Sequence, residues 1–200
     1  MAAIDLSAYK FRTAGLRMLD FGGEIVPPLG GPVQRINRLG NRFSIELALP
    51  PIRQEPEGRI LAAKLRLAKQ NGALYTFPQP GLVLSGAPTG AISGAVAGGT
   101  AISISGLSNG QPFVLGQFIS IIVAGRRYVH GVAADTAANA GGVASLTIDP
   151  MLRVSLSAGQ TVEIAEPKLE GLMIGGDSVP WNLELEPFMT FDPIVITESE

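Results

Sequence analysis

Acid–base or metal chemistry in this chain would depend on carboxylates and one histidine, because the sequence has no cysteine. Disulfides, thiolate metal sites and cysteine nucleophiles are therefore excluded. Glu184 and Glu186 stand two residues apart, so on a strand both carboxylates lie on one face. Paired carboxylates can act as acid and base, and Asp177 and Asp192 offer further oxygen ligands for a hard cation. No calcium-loop spacing and no other catalytic residue type accompanies them, so no metal site is predicted.

Three other patterns invite a catalytic or binding interpretation and do not support one. The single histidine, His130, stands near the end of a predicted strand, where a surface histidine or a hydrogen-bonded core histidine is expected instead of a general base. The glycine-rich residues 94–99 lack the Lys-Ser/Thr ending of a phosphate-binding loop. Arg35, Arg38 and Arg42 form a basic cluster without the interleaved aromatics of a nucleic-acid platform. The sequence therefore predicts a protein that is not an enzyme and that has no cofactor.

The elements that would position these side chains are mostly strands. Residues 1–32 contain repeated Gly and Pro breakers and predict extended segments and turns. Residues 43–49 alternate between apolar and small or polar side chains, which predicts a half-buried strand. One helix is expected over residues 55–70, because apolar residues recur there at helical spacing: Ile60, Leu61, Leu65 and Ala68. Gly72 is expected to end it.

No charged residue occurs from Gln70 to Gly125, yet Ile, Val and Phe recur there in short runs. Similar runs continue to Ile164, spaced by about 10 residues with turn signals between them, and this spacing favours a small sandwich or barrel. The fold class predicted is mainly β. The last three residues, Glu198-Ser-Glu200, are predicted to be a solvated tail.

Charge is scarce and unevenly distributed. Charged residues are 16% of the chain, against a usual share of about 25%, and interface cores are depleted of charge. Residues 1–70 carry a net charge of +5, residues 71–130 carry +2 and residues 131–200 carry −9. We expect self-assembly through differently charged faces. No apolar stretch approaches the ~18 residues of a membrane helix, so no membrane contact is expected.

The order of several short segments resembles one family. A strand ending Leu47-Ala-Leu49-Pro50-Pro51 leads into the Ala/Leu/Arg helix, and three further motifs follow in a fixed order. These are Leu74-Tyr-Thr-Phe77, a β-rich stretch with Leu115-Gly-Gln-Phe-Ile-Ser120, Gly125-Arg-Arg-Tyr128-Val-His and Leu146-Thr-Ile-Asp149-Pro150-Met-Leu152-Arg153, and finally Asp177-Ser-Val-Pro-Trp181. Over residues 33–195 the chain resembles minor tail proteins of long-tailed bacteriophages and is similar to the distal tail protein family.

This resemblance implies a tail-tube-like β-sandwich with one α-helix plus an inserted small β-barrel. The sandwich would comprise residues 1–82 and 168–200 with the helix at 55–70, and the barrel would comprise residues 83–167. The family forms a hexameric ring that joins the tail-tube protein to a tail-tip or baseplate hub protein and encloses the channel for DNA. The chain would then be a virion protein, assembled in the cytoplasm of the bacterial host.

One hypothesis assigns a role to the late acidic residues. They would line the channel, where like charge repels phosphates and lets DNA pass without specific binding. The candidates are Glu163, Glu166, Glu170, Glu184 and Glu186.

Two alternatives to a distal ring protein remain. One is a tail-tube subunit or another minor tail protein. The other is a carbohydrate-binding module built on the predicted barrel, which would need exposed aromatic side chains. Between Gly81 and Gly175 only Phe113, Phe118 and Tyr128 are available, and the last two are expected in the core.

Overall fold

The computed structural model describes residues 3–174, 181–183 and 187–199, and for residues 181–183 it describes the backbone alone. Within these ranges the chain forms one α-helix, α1 (Arg59–Asn71), and a series of strands. In chain order the strands are β1 (Ile4–Asp5), β2 (Thr13–Leu19), β3 (Gly23–Ile25), β4 (Gln34–Ile36), β5 (Arg42–Ala48), β6 (Ile52–Arg53), β7 (Ala73–Thr76), β8 (Thr89–Ile92), β9 (Gly99–Ser105), β10 (Pro112–Phe113), β11 (Phe118–Val123), β12 (Arg126–Val132), β13 (Thr136–Ala137), β14 (Ala144–Leu152), β15 (Thr161–Glu163), β16 (Lys168–Ile174), β17 (Trp181–Leu183), β18 (Phe188–Phe191) and β19 (Ile194–Glu198).

A six-stranded sheet, in the order β1-β7-β16-β19-β5-β2, is formed from both ends of the chain. Only the β1–β7 pair is parallel. The predicted alternation in residues 43–49 is visible in β5, whose Phe43, Ile45 and Leu47 are buried. They share a core with apolar side chains of α1 and of the small β17-β18-β6 sheet: Leu61, Leu65, Ala68, Met189 and Phe191.

The helix expected over residues 55–70 begins four residues later than the sequence suggests. The preceding Gln54–Gly58 has π-helical hydrogen bonding but is irregular, because Glu55 takes extended backbone angles of φ −122° and ψ 137°. Gly58 permits the close packing that follows, since a Cβ there would lie 2.3 Å from the Sδ atom of Met189. Gly72, at φ +91°, ends the helix and donates its N–H to the carbonyl of Ala68.

The second half of the fold is a closed barrel of β11-β12-β14-β9-β8-β15. Its strands all lie between Thr89 and Glu163. Burial alternates along β14, so that Ala144, Leu146 and Ile148 fill the interior, as a period of two residues requires. The predicted fold class, mainly β with one helix and a small barrel, is confirmed.

The barrel and the six-stranded sheet share an aromatic contact. The ring of Phe118, in β11, lies with its centroid 5.4 Å from that of Phe43 and 4.4 Å from that of Phe77. Val129, in β12, is fully buried in the core of the sheet instead of the core of the barrel. The barrel is therefore packed against the sheet through apolar side chains as well as joined to it by the chain.

Candidate functional site

Two of the five predicted channel acids lie together in a partly buried ion-pair cluster. Arg127 Nε lies 3.2 Å from both carboxylate oxygens of Glu163, and its Nη1 lies 3.5 Å from Glu170 Oε2. The hydroxyl of Ser120 donates to Glu163 Oε2 at 2.6 Å and accepts the N–H of Lys168 at 3.0 Å. The three charged side chains are only 15–22% exposed. Arg127 offsets only one of the two carboxylate charges, so the cluster keeps part of the negative charge that the channel hypothesis needs.

The remaining predicted acids are not part of this cluster as described. Glu166 is exposed in the loop between β15 and β16. Glu184 and Glu186 lie outside the described residues. The channel-lining hypothesis stays a prediction. The sequence reasoning did not anticipate that Arg127 pairs with two of the five acids.

A buried ion pair was missed by the sequence reasoning. Glu198, predicted to belong to a solvated tail, is 1% exposed, and that prediction is wrong for this residue. Its carboxylate accepts the backbone N–H of Val129 at 2.6 Å and that of Phe43 at 3.1 Å. Arg153 Nη2 lies 2.8 Å from Glu198 Oε2. One carboxylate thus holds the barrel strand β12, the sheet strand β5 and the residue that follows β14.

Burial disfavours the charged forms of both Arg153 and Glu198, whose side chains are 6% and 0% exposed. Burial raises the pKa of the Glu198 carboxyl above its usual value, although the Arg153 charge and the two backbone N–H donors act in the opposite direction. The Arg153 guanidinium stacks over the Tyr128 ring at 5.2 Å. Its Nε and Nη1 are buried and have no hydrogen-bond acceptor among the described residues. Removing either partner would leave the other as an unpaired buried charge, which is costly.

His130 lies beside this pair and is not accessible to a substrate. It is 1% exposed, and its Nδ1 donates to the carbonyl oxygen of Pro150 at 2.8 Å. Burial, together with the nearby positive charge of Arg153, lowers the pKa of His130 to about 4 despite that hydrogen bond. The ring is therefore neutral at physiological pH, and its position is that of a hydrogen-bonded core histidine.

Ser108 stands in a sequence pattern typical of serine nucleophiles, but the elements around it are not those of a catalytic serine. Gly106-Leu-Ser108-Asn-Gly110 matches the Gly-x-Ser-x-Gly pattern of a nucleophile elbow, which requires a strand, a sharp turn and then a helix. Here the turn follows β9 and precedes the strand β10, and the Ser108 N–H donates to Gln111 Oε1 at 3.1 Å. In the described part of the chain, no group of three or more His, Asp or Glu residues is placed to hold a metal ion.

The most unusual surface of the protein is apolar. Residues 20–41, here called the arm, leave the sheet after β2, form the β3–β4 hairpin and return at β5. The base of the arm is well braced, since Asn41 Oδ1 accepts the Phe21 N–H at 2.7 Å and Arg35 pairs with Asp20 at 2.7 Å. Along its length the arm exposes large hydrophobic side chains: Phe21, Ile25, Val26, Leu29, Val33, Ile36 and Leu39.

The strand that leads into the arm is an open sheet edge. β2 is seven residues long and, among the strands that the structure describes, pairs only with β5, so one row of its backbone N–H and C=O groups has no partner strand there. Leu16 and Met18, on the core-facing side of β2, are 39% and 43% exposed. A long apolar edge of this kind is a template for pairing with another chain.

The aromatic side chains of the barrel do not form an open platform. Phe113 and Tyr128 are buried, and Phe118 is half-buried against Phe43 and Phe77. These are all the aromatic residues between positions 81 and 175. A carbohydrate-binding module would use such rings on its surface, and this barrel uses them for packing.

Comparison of the chain with protein-family models and with curated protein sequences finds no match. Among the described residues, the helices are too short or too polar to cross a lipid bilayer.

The first prediction concerns His130. Because its pKa is lowered from 6.5 to about 4 on folding, the stability associated with the neutral ring is complete above pH 6.5 and is lost as the pH falls toward 4. Between pH 7.5 and pH 5, the free energy of unfolding should fall by roughly 2 kcal/mol more in the native chain than in His130→Asn. Urea unfolding curves measure this difference, and parallel pH profiles for the two proteins would contradict it.

The second prediction concerns the buried ion pair. Glu198→Gln and Arg153→Met should each lower the free energy of unfolding by about 3–5 kcal/mol. The double variant should lose clearly less than the sum, because no unpaired buried charge remains.

The control for that cycle is the exposed Arg17–Glu46 pair, whose side chains are 68% and 37% exposed. Its coupling should be below about 1 kcal/mol. The opposite result is that the losses from Glu198→Gln and Arg153→Met simply add, with a coupling no larger than that of the control pair. The buried contact would then not hold the two halves together.

Proposed function

We propose that this chain is a structural subunit of a long-tailed bacteriophage tail. It forms the distal ring or adaptor that joins the tail tube to the tail-tip or baseplate hub and encloses the DNA channel. The ordered motifs over residues 33–195 support this proposal, as does a fold that is mainly β with one helix and a small closed barrel. In this role the protein belongs to the virion and is assembled in the cytoplasm of the bacterial host.

The observation that carries the proposal is the apolar arm. Monomeric soluble proteins rarely expose large contiguous apolar patches, and such patches mark interaction sites. Leu29 is 97% exposed and Val26 is 66% exposed. Each large apolar side chain contributes about 1.5–3 kcal/mol when it is fully buried. A protein that works by self-assembly gains this free energy only when copies meet.

A closed ring is the assembly that best fits these surfaces. The arm and the open edge of β2 are different surfaces, and head-to-tail contact between different surfaces gives rings when the rotation closes. The early part of the chain is basic and the late part is acidic, which adds charge complementarity to such contacts. Pairing β2 with a neighbouring copy also covers an edge that would otherwise invite uncontrolled aggregation.

The channel function requires that DNA pass without adhering. Because Arg127 offsets only one of the charges of Glu163 and Glu170, the other charge of that pair would repel phosphates together with Glu166, Glu184 and Glu186. Tail-tube and hub proteins are the neighbours expected above and below the ring.

Electron micrographs of the purified chain over a concentration series test the proposal. A distal ring protein should give closed rings with a central opening. A tail-tube subunit, the second candidate, should give stacked cylinders instead. If the chain forms neither rings nor ring segments at any concentration, the proposed function loses its main support.

A further inference from the structure

No further inference is drawn: the strongest candidate, the apolar groove between the edge strand β2 and the barrel that Leu16, Met18, Leu115 and Phe118 line, carries nothing, because nothing in the structure shows what covers it.

Discussion

The geometry of this protein depends on one buried carboxylate. Glu198 accepts hydrogen bonds from the backbone of β5 in the sheet and of β12 in the barrel, and it pairs with Arg153 directly after β14. Because one side chain holds all three partners, movement of the barrel against the sheet would leave buried N–H groups unsatisfied and a buried charge unpaired. The Phe118 contact with Phe43 and Phe77 adds an apolar part to the same junction.

This junction fixes the position of the exposed apolar surfaces of the sheet relative to the barrel. The arm leaves the sheet at β2 and returns at β5, and β2 is also the edge strand of the sheet. If the barrel could move against the sheet, a neighbouring copy that paired with β2 would meet no constant surface. A fixed junction is therefore a requirement for assembly into a closed ring, where small errors in each contact add up around the circle.

Local patterns in the sequence predicted the elements well. The alternation of Phe43, Ile45 and Leu47 became β5, and Gly72 ends the helix as expected. The start of the helix was missed because it depends on a distant contact: Gly58 packs against Met189, and Glu55 takes an extended backbone. Regularly spaced strands predicted a small sandwich or barrel, but closure into a barrel depends on pairing between β11 and β15, which are about 40 residues apart.

The functional surfaces were harder to predict for the same reason. Glu198 near the chain end has the sequence context of a solvated tail, and only its contacts with residues 43, 129 and 153 explain its burial. The acids Glu163 and Glu170 were counted as free charges because Arg127, their partner, lies 36 or more residues away along the chain. The arm consists of Gly- and Pro-rich turns, and nothing local in such a segment shows that its apolar residues stay uncovered.

In the proposed function, this chain works by closing into a ring of identical copies. The most direct measurement is its mass in solution, obtained by light scattering over a concentration series. For the proposed ring, the mass should climb with concentration toward six times 20.8 kDa and then stay constant. A mass that remains at 20.8 kDa at the highest concentration, with the arm intact, would contradict it.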